Sequence, residues 1–255
     1  LVMDKPGVVS RPLGEQPAFN VQHMFTGMEL TDKGVGLMAD YVGVVRDVLG
    51  MEIPLAADHF GHIGVNSCIK LAKALQKYNM AWLEDMIPWQ YTALLKKITD
   101  AVDVPILTGE DIYLKEPFAE LCREHAVDMI HPDLATSGGI LETKKIGDMA
   151  QEYGVAMAMH FAGTPVSFMA NLHCAAATEN FLSLEHHSVE VPWWEDMVTG
   201  IPKPIVAKGY AAVPDRPGLG VELNEEVVKQ HLLEPGYFEP TPQWDKDRSN
   251  DRLWS

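Results

Sequence analysis

Asp58, Glu84, Glu110, Asp133, His160 and Glu185 are residue types that bind a cation or move a proton, and each closes a short apolar run. They recur at intervals of about 25 residues, the length that a strand, a loop, a helix and a second loop require. Asp58, Glu84 and Glu110 present oxygen ligands only, with no cysteine and no HExxH nearby. Three carboxylates with room for water and substrate favour a hard cation, Mg²⁺ first and Mn²⁺ second. Asp133 can fix the tautomer of His160 and raise its basicity, as a general base requires. Met157 and Met159 flank His160, a setting that also suits a buried structural histidine. Glu185, if kept protonated by its surroundings, can stabilise a developing oxyanion. A divalent ion opposite a histidine base points to abstraction of a proton α to a carboxylate, because chelation stabilises the resulting enediolate. That intermediate is either reprotonated or expels a β-hydroxyl.

Other polar residues lie beside these. His59, His62 and Trp89 neighbour the carboxylate-bearing strand ends and are expected to touch a substrate's hydroxyls or carboxylate. Asp85 follows Glu84 directly, so strand alternation expects it on the opposite face. His186 and His187 follow Glu185 with the same ambiguity.

The elements that must position these residues alternate from about residue 30 onward. The segment LTDKGVGLMADYVGVVRDVLG has Thr31 as a candidate N-cap. Leu37, Met38, Tyr41, Val44, Val45 and Val48 recur at helical spacing, and Gly50 closes the segment. Strands are expected at IPLAAD, MAWLED, VPILTGE, VDMIHPD, VAMAMH and FLSLEHH. Helices are expected at NSCIKLAKALQKYN, QYTALLKKITDAV, EPFAELCREHA, GILETKKIGDMAQEYG and PVSFMANLHCAAATE. Six strands alternating with helices predict a parallel α/β barrel, with all six polar residues on the rim where such barrels hold their active sites. Residues 1–30 read as a loop segment with no convincing strand pair, 31–190 as the barrel repeats, and 191–255 as a Pro- and Gly-rich wrapping segment and tail. From about Gly236 the sequence is polar and extended, an arm for a neighbouring surface.

Bulk properties narrow the class of function. The 255 residues carry a net charge of −16, which argues against nucleic acid, since phosphate binding needs clustered Lys and Arg. With 47% hydrophobic and 22% charged residues and no membrane-length apolar run, neither a membrane span nor a membrane partner is expected. The three cysteines form neither a disulfide framework nor a CxxC pair, and LVMDKPGVVSRPLGEQ lacks the features of a signal peptide. A cytoplasmic protein is expected.

Six ordered motifs, AADHF, WLEDMIPW, LTGED, HPDLATSGGI, MAMHFAG and SLEHHS, together with GYAAVPDRPGLGVEL, resemble the enolase superfamily in its mandelate racemase-like, acid-sugar branch. The likeness runs from about residue 30 to 225. It implies a (β/α)₇β barrel, Mg²⁺ on Asp58, Glu84 and Glu110, a His160–Asp133 dyad and Glu185 as electrophilic helper. Mg²⁺-stabilised ene-diolates with a Lys or His base are a known property of this superfamily. It further implies an N-terminal capping domain and two earlier strands, the second ending in a lysine motif. Neither is found in residues 1–30, where Lys5 sits in a turn-like context. A symmetric homo-oligomer acting on a small-molecule carboxylate is expected.

The leading expectation is dehydration of a sugar acid to a 2-keto-3-deoxy acid. Racemisation or epimerisation uses the same intermediate. A metal-dependent hydrolase is disfavoured by the carboxylate row, and a non-catalytic metal-binding barrel by the dyad.

Overall fold

The structure is a computed structural model, and it describes residues 9–10, 25, 28–58 and 63–232. The chain divides into two compact units. The first runs to Gly109 and resumes over Pro117–Ile130; the second takes Glu110–Glu116 and continues from His131.

The first unit opens with a two-residue antiparallel pair, β1 (Val9–Ser10) against β2 (Glu29–Leu30). The expectation of no strand pair in residues 1–30 is thus corrected. Pairs this short carry no readable alternation, and the second strand is held from outside its own sequence. The Ser67 hydroxyl accepts from the Leu30 N–H at 2.7 Å, and the Met28 carbonyl accepts from the Gly64 N–H at 2.9 Å.

Helix α1 (Asp32–Leu49) starts and stops where the sequence indicates. The Thr31 side chain accepts from the Gly34 N–H, and Gly50 ends the helix with φ +70°. Its orientation differs from the apolar periodicity. Tyr41, Val44 and Val48 are exposed, while Gly34, Ala39 and Arg46 are buried. Small residues face inward because the neighbour is close: a Cβ on Gly43 would meet the Tyr78 hydroxyl at 2.8 Å. Arg46 turns inward because its guanidinium finds backbone acceptors. Nε donates to Tyr78 O at 2.9 Å, Nη1 to Gly50 O at 2.9 Å and Ile53 O at 2.7 Å, and Nη2 to Asn79 O at 3.0 Å.

The segment expected as strand IPLAAD is not a regular strand. Its pairing reduces to one bridge, Ala57 with Leu83, and three backbone hydrogen bonds, two at Ala57 and one at Leu55. Pro54 lacks an N–H, which shortens the ladder at its start. Beyond it come α2 (Val65–Leu75), β3 (Leu83–Glu84), α3 (Thr92–Thr99), β4 (Ile106–Thr108), α4 (Lys115–Glu124) and β5 (Met129–Ile130). β3, β4 and β5 are parallel in chain order, with Leu83 opposite Ile106 and Leu107 opposite Met129. All their residues are buried, as parallel strands covered on both faces must be. Leu71, Leu75, Leu83, Leu95, Ile98, Ile106 and Phe118 form the fully buried core.

In the second unit α5 (Leu134–Ser137) and α6 (Gly139–Glu152) lead to β6 (Ala156–Met159), then α7 (Pro165–Ala176) and β7 (Phe181–Leu184). β6 and β7 are parallel, with a register shift between Met157 and Ala158, just before His160. After β7 the repeat gives way to short antiparallel pairs. β8 (Val198–Thr199) pairs with β11 (Glu222–Leu223), and β9 (Val206–Ala207) with β10 (Tyr210–Ala211); α8 (Glu225–Gln230) follows. Val206, Ala211, Leu219, Val221 and Val227 pack on a core of Phe161, Phe168, Met169, Leu172, Trp194 and Met197. The tail from Gly236 lies outside the described residues.

Cys68, Cys122 and Cys174 are free and buried. Burial pushes all three thiols up, Cys122 to about 12. The thiolate is the nucleophile, so the folded chain should resist iodoacetamide at pH 8 while all three cysteines are alkylated in denaturant. Mass spectrometry checks this, and rapid labelling of the folded chain would contradict it.

Candidate active site

His160 follows β6, where an isolated parallel bridge sets it beside Asp133. Its Nδ1 lies 2.7 Å from Asp133 Oδ2, while Asp133 Oδ1 accepts from the Ala135 N–H at 2.7 Å as the N-cap of α5. Both oxygens of the aspartate are therefore held. Because a carboxylate only accepts, Nδ1 carries the hydrogen and Nε2 is the working atom. Nε2 lies 3.1 Å from Glu110 Oε2 and 3.6 Å from Glu185 Oε2. All four residues belong to the second unit.

Burial of His160 works against its charge, but the hydrogen bond it donates to Asp133 and the charges of Glu110, Glu185 and Asp133 outweigh it. They push the imidazole from 6.5 to about 9. A folded-state value above the unfolded one means that this charge stabilises the metal-free chain fully below about pH 6.5. That contribution is lost as pH rises through about 9. In EDTA, an NMR titration of His160 should give a midpoint well above 6.5, and Asp133→Asn should move it down. An unmoved midpoint would show that Asp133 does not hold the proton.

Glu185 is oriented by its neighbours. Oε2 accepts from the Phe161 N–H at 3.1 Å, and Oε1 is 3.3 Å from His187 Nε2. His186 instead packs edge-on against Trp194 and Phe168. Sequence reasoning overlooked His131, which is 3% exposed and lies edge-on to His160 with ring centroids 5.3 Å apart. Its Nδ1 is 2.6 Å from the Ala158 carbonyl, which fixes the proton on that nitrogen and directs Nε2 toward Glu185 Oε2 at 3.9 Å. The signal was period-two alternation, which sets His131 and Asp133 on one face.

In the first unit, Asp58, Glu84 and Asp85 offer carboxylate oxygens within 4.8 Å of one another. Placing Asp85 with Glu84 corrects the expectation of opposite faces. Asp85 has φ +45°, so the chain leaves strand geometry at that residue and alternation stops with Glu84. The Thr108 hydroxyl donates to Asp85 Oδ1 at 2.5 Å, and the Trp82 indole N–H donates to Glu84 Oε2 at 3.1 Å. A group of hard oxygen donors containing the 6%-exposed Glu84 suits a divalent cation, because carboxylates this close need a counter-charge. Glu110, the third expected ligand, follows β4 by two residues and presents its carboxylate to His160.

His59 and His62 lie outside the described residues. Trp89 is half-buried, and its indole nitrogen has no hydrogen-bond partner among the described residues. Among those residues no helix is long and apolar enough to cross a membrane.

Parallel strands alternating with helices, with carboxylates and a histidine at their ends, define an α/β protein with a parallel sheet arrangement. The chain belongs to the Enolase C-terminal domain-like family, which matches residues 18–227. It is similar to D-xylonate dehydratase of Haloferax volcanii, 37% identical over 196 residues, covering 76% of this chain and 47% of that protein. It is also similar to arabinonate dehydratase of Saccharolobus solfataricus, 28% identical over 229 residues, covering 86% of this chain and 58% of that one. A solved structure of a mandelate racemase/muconate lactonizing enzyme-like protein from Rubrobacter xylanophilus superposes with TM-score 0.78 at 33% identity. That match covers 80% of this chain and 52% of the other. The chain spans about half the length of the curated relatives it matches. The expected α/β fold with parallel strands and the expected superfamily are both borne out.

Proposed function

We propose that the protein dehydrates a sugar acid of the aldonate or aldarate type, with Mg²⁺, to a 2-keto-3-deoxy acid. The observation that carries this reading is the His160–Asp133 pair, whose Nε2 faces Glu185 at 3.6 Å in a chain whose relatives are named sugar-acid dehydratases. Asp58, Glu84 and Glu110 are the proposed cation ligands, with Mn²⁺ an acceptable substitute. Strand-end position and oxygen chemistry support them, and Asp85 adds negative charge beside the first two. The cation supplies electrophilic stabilisation of the charge that develops on the substrate carboxylate.

This chain's residues do the rest. Asp133 keeps the proton on His160 Nδ1, so Nε2 exchanges protons with the substrate at the α or β position. Glu185, positioned by the Phe161 N–H, donates to the developing oxyanion when its carboxyl group is protonated. Loss of the α-proton and then of the β-hydroxyl yields an enol that becomes the keto acid.

The test is incubation of the full chain with Mg²⁺ in D₂O against C5 and C6 sugar acids, followed by NMR and a 2-keto acid assay. Keto acid formation supports the reading. Deuterium incorporation without keto acid replaces it with racemisation or epimerisation, and silence across the library overturns it.

A further inference from the structure

We infer that Trp82 is a positioning residue for the cation site, acting through its indole N–H on Glu84. The inference rests on the reading of Glu84 as a metal ligand. Trp82 immediately precedes β3 and Glu84 ends it, a spacing of two that in extended chain sends both side chains to the same face. The indole Nε1 donates to Glu84 Oε2 at 3.1 Å, and the glutamate is only 6% exposed.

The chemistry of the donor is what makes this arrangement useful. Glu84 shares its surroundings with the carboxylates of Asp58 and Asp85, within 4.8 Å, and their repulsion alone would turn it away. An indole N–H donates and accepts nothing, so it steadies the carboxylate without adding charge and without competing for the cation. A lysine at this position would instead supply the positive charge that the cation is meant to supply.

The main chain of Trp82 also bears on this site. Its carbonyl accepts from the Ala57 N–H at 3.2 Å, and the Ala57 carbonyl accepts from the Glu84 N–H at 2.9 Å. Asp58 is the next residue after Ala57. Trp82 thus orients one carboxylate through its side chain and anchors the segment that bears a second through its backbone.

The test is the dissociation constant of Mn²⁺ for the full chain, measured by electron paramagnetic resonance of the free ion and by calorimetry. Trp82→Phe removes the N–H with some loss of volume. A second variant carrying β-(3-benzothienyl)alanine at position 82 replaces the N–H by sulfur and keeps the shape. Both should bind Mn²⁺ about 10-fold more weakly or worse, the usual effect of deleting a partner that orients a ligand. The melting temperature in EDTA should stay close to that of the unaltered chain for the benzothienyl variant, which a merely structural tryptophan would not predict for weakened binding. Glu84→Gln separates this inference from the reading beneath it. Unchanged Mn²⁺ affinity in both position-82 variants, with affinity lost in Glu84→Gln, overturns the role of Trp82 and leaves Glu84 a ligand. Unchanged affinity in Glu84→Gln overturns the ligand assignment and the inference together.

Discussion

His160→Asn lowers keto acid formation by the full chain by about 10³ to 10⁴, the upper range for loss of a general acid–base group. Asparagine is the informative substitution because its amide can still donate toward Asp133 Oδ2, where Nδ1 stands now at 2.7 Å. The Asp133 N-cap and the packing of β6 are then preserved, and what disappears is Nε2. Among the described neighbours in the second unit, Glu185 is held by the Phe161 N–H, and His131 Nδ1 is committed to the Ala158 carbonyl. Substrate KM should change little compared with turnover, since the loss falls on proton transfer and not on cation-assisted binding. Steady-state kinetics with NMR detection of solvent deuterium exchange check both points. A loss smaller than ten-fold would remove His160 from the chemistry and return it to the role of a buried structural histidine.

Arg46→Met destabilises the metal-free chain by about 2 to 3 kcal/mol, because it removes four hydrogen bonds to partly buried main-chain carbonyls at roughly 0.5 to 1 kcal/mol each. The side chain is 4% exposed and serves Tyr78, Asn79, Gly50 and Ile53 at once. Three of these carbonyls, Gly50, Tyr78 and Asn79, lie at the C-terminal ends of α1 and of the 3-10 turn Gln76–Tyr78, where unpaired carbonyls present partial negative charge. No carboxylate is needed to balance the guanidinium there. Arg46→Lys should recover only part of the loss, because an ammonium lacks the planar fork that reaches several acceptors. Urea denaturation in EDTA measures both variants. The Gly50–Ile53 turn leads directly to Asp58, so Arg46→Met should also weaken Mn²⁺ binding. A destabilisation below 1 kcal/mol would mean that water replaces the guanidinium.

From residue 31 onward the alternation of elements was legible because each strand is a short apolar run and each helix a longer amphipathic one. Those periods survive packing at β3 to β7 and at α2, α3, α4, α6 and α7. Local chemistry also marked the ends of α1, since a threonine cap and a left-handed glycine act through neighbours in sequence. The inward face of α1 was not legible. Tyr41, Val44 and Val48 look like a core stripe until one knows that Gly43 must pass the Tyr78 hydroxyl and that Arg46 has four carbonyls to meet. Likewise β1 and β2 are two residues each, and their pairing is supported by Ser67 and Gly64, far along the chain.

At the site, the sequence by itself determined which residue types stand at the strand ends, and hence the oxygen-ligand, proton-transfer chemistry proposed for them. Residue type and spacing are properties of the chain before it folds. The tertiary structure decided how those residues are held. Asp85 joins Glu84 because a left-handed backbone ends strand alternation, and Trp82 steadies Glu84 because an indole reaches along one face of a strand. His131 sits edge-on to His160 because two segments separated by α5 and α6 run side by side. Each of these depends on a backbone angle or a through-space distance, and neither is written in a one-dimensional pattern.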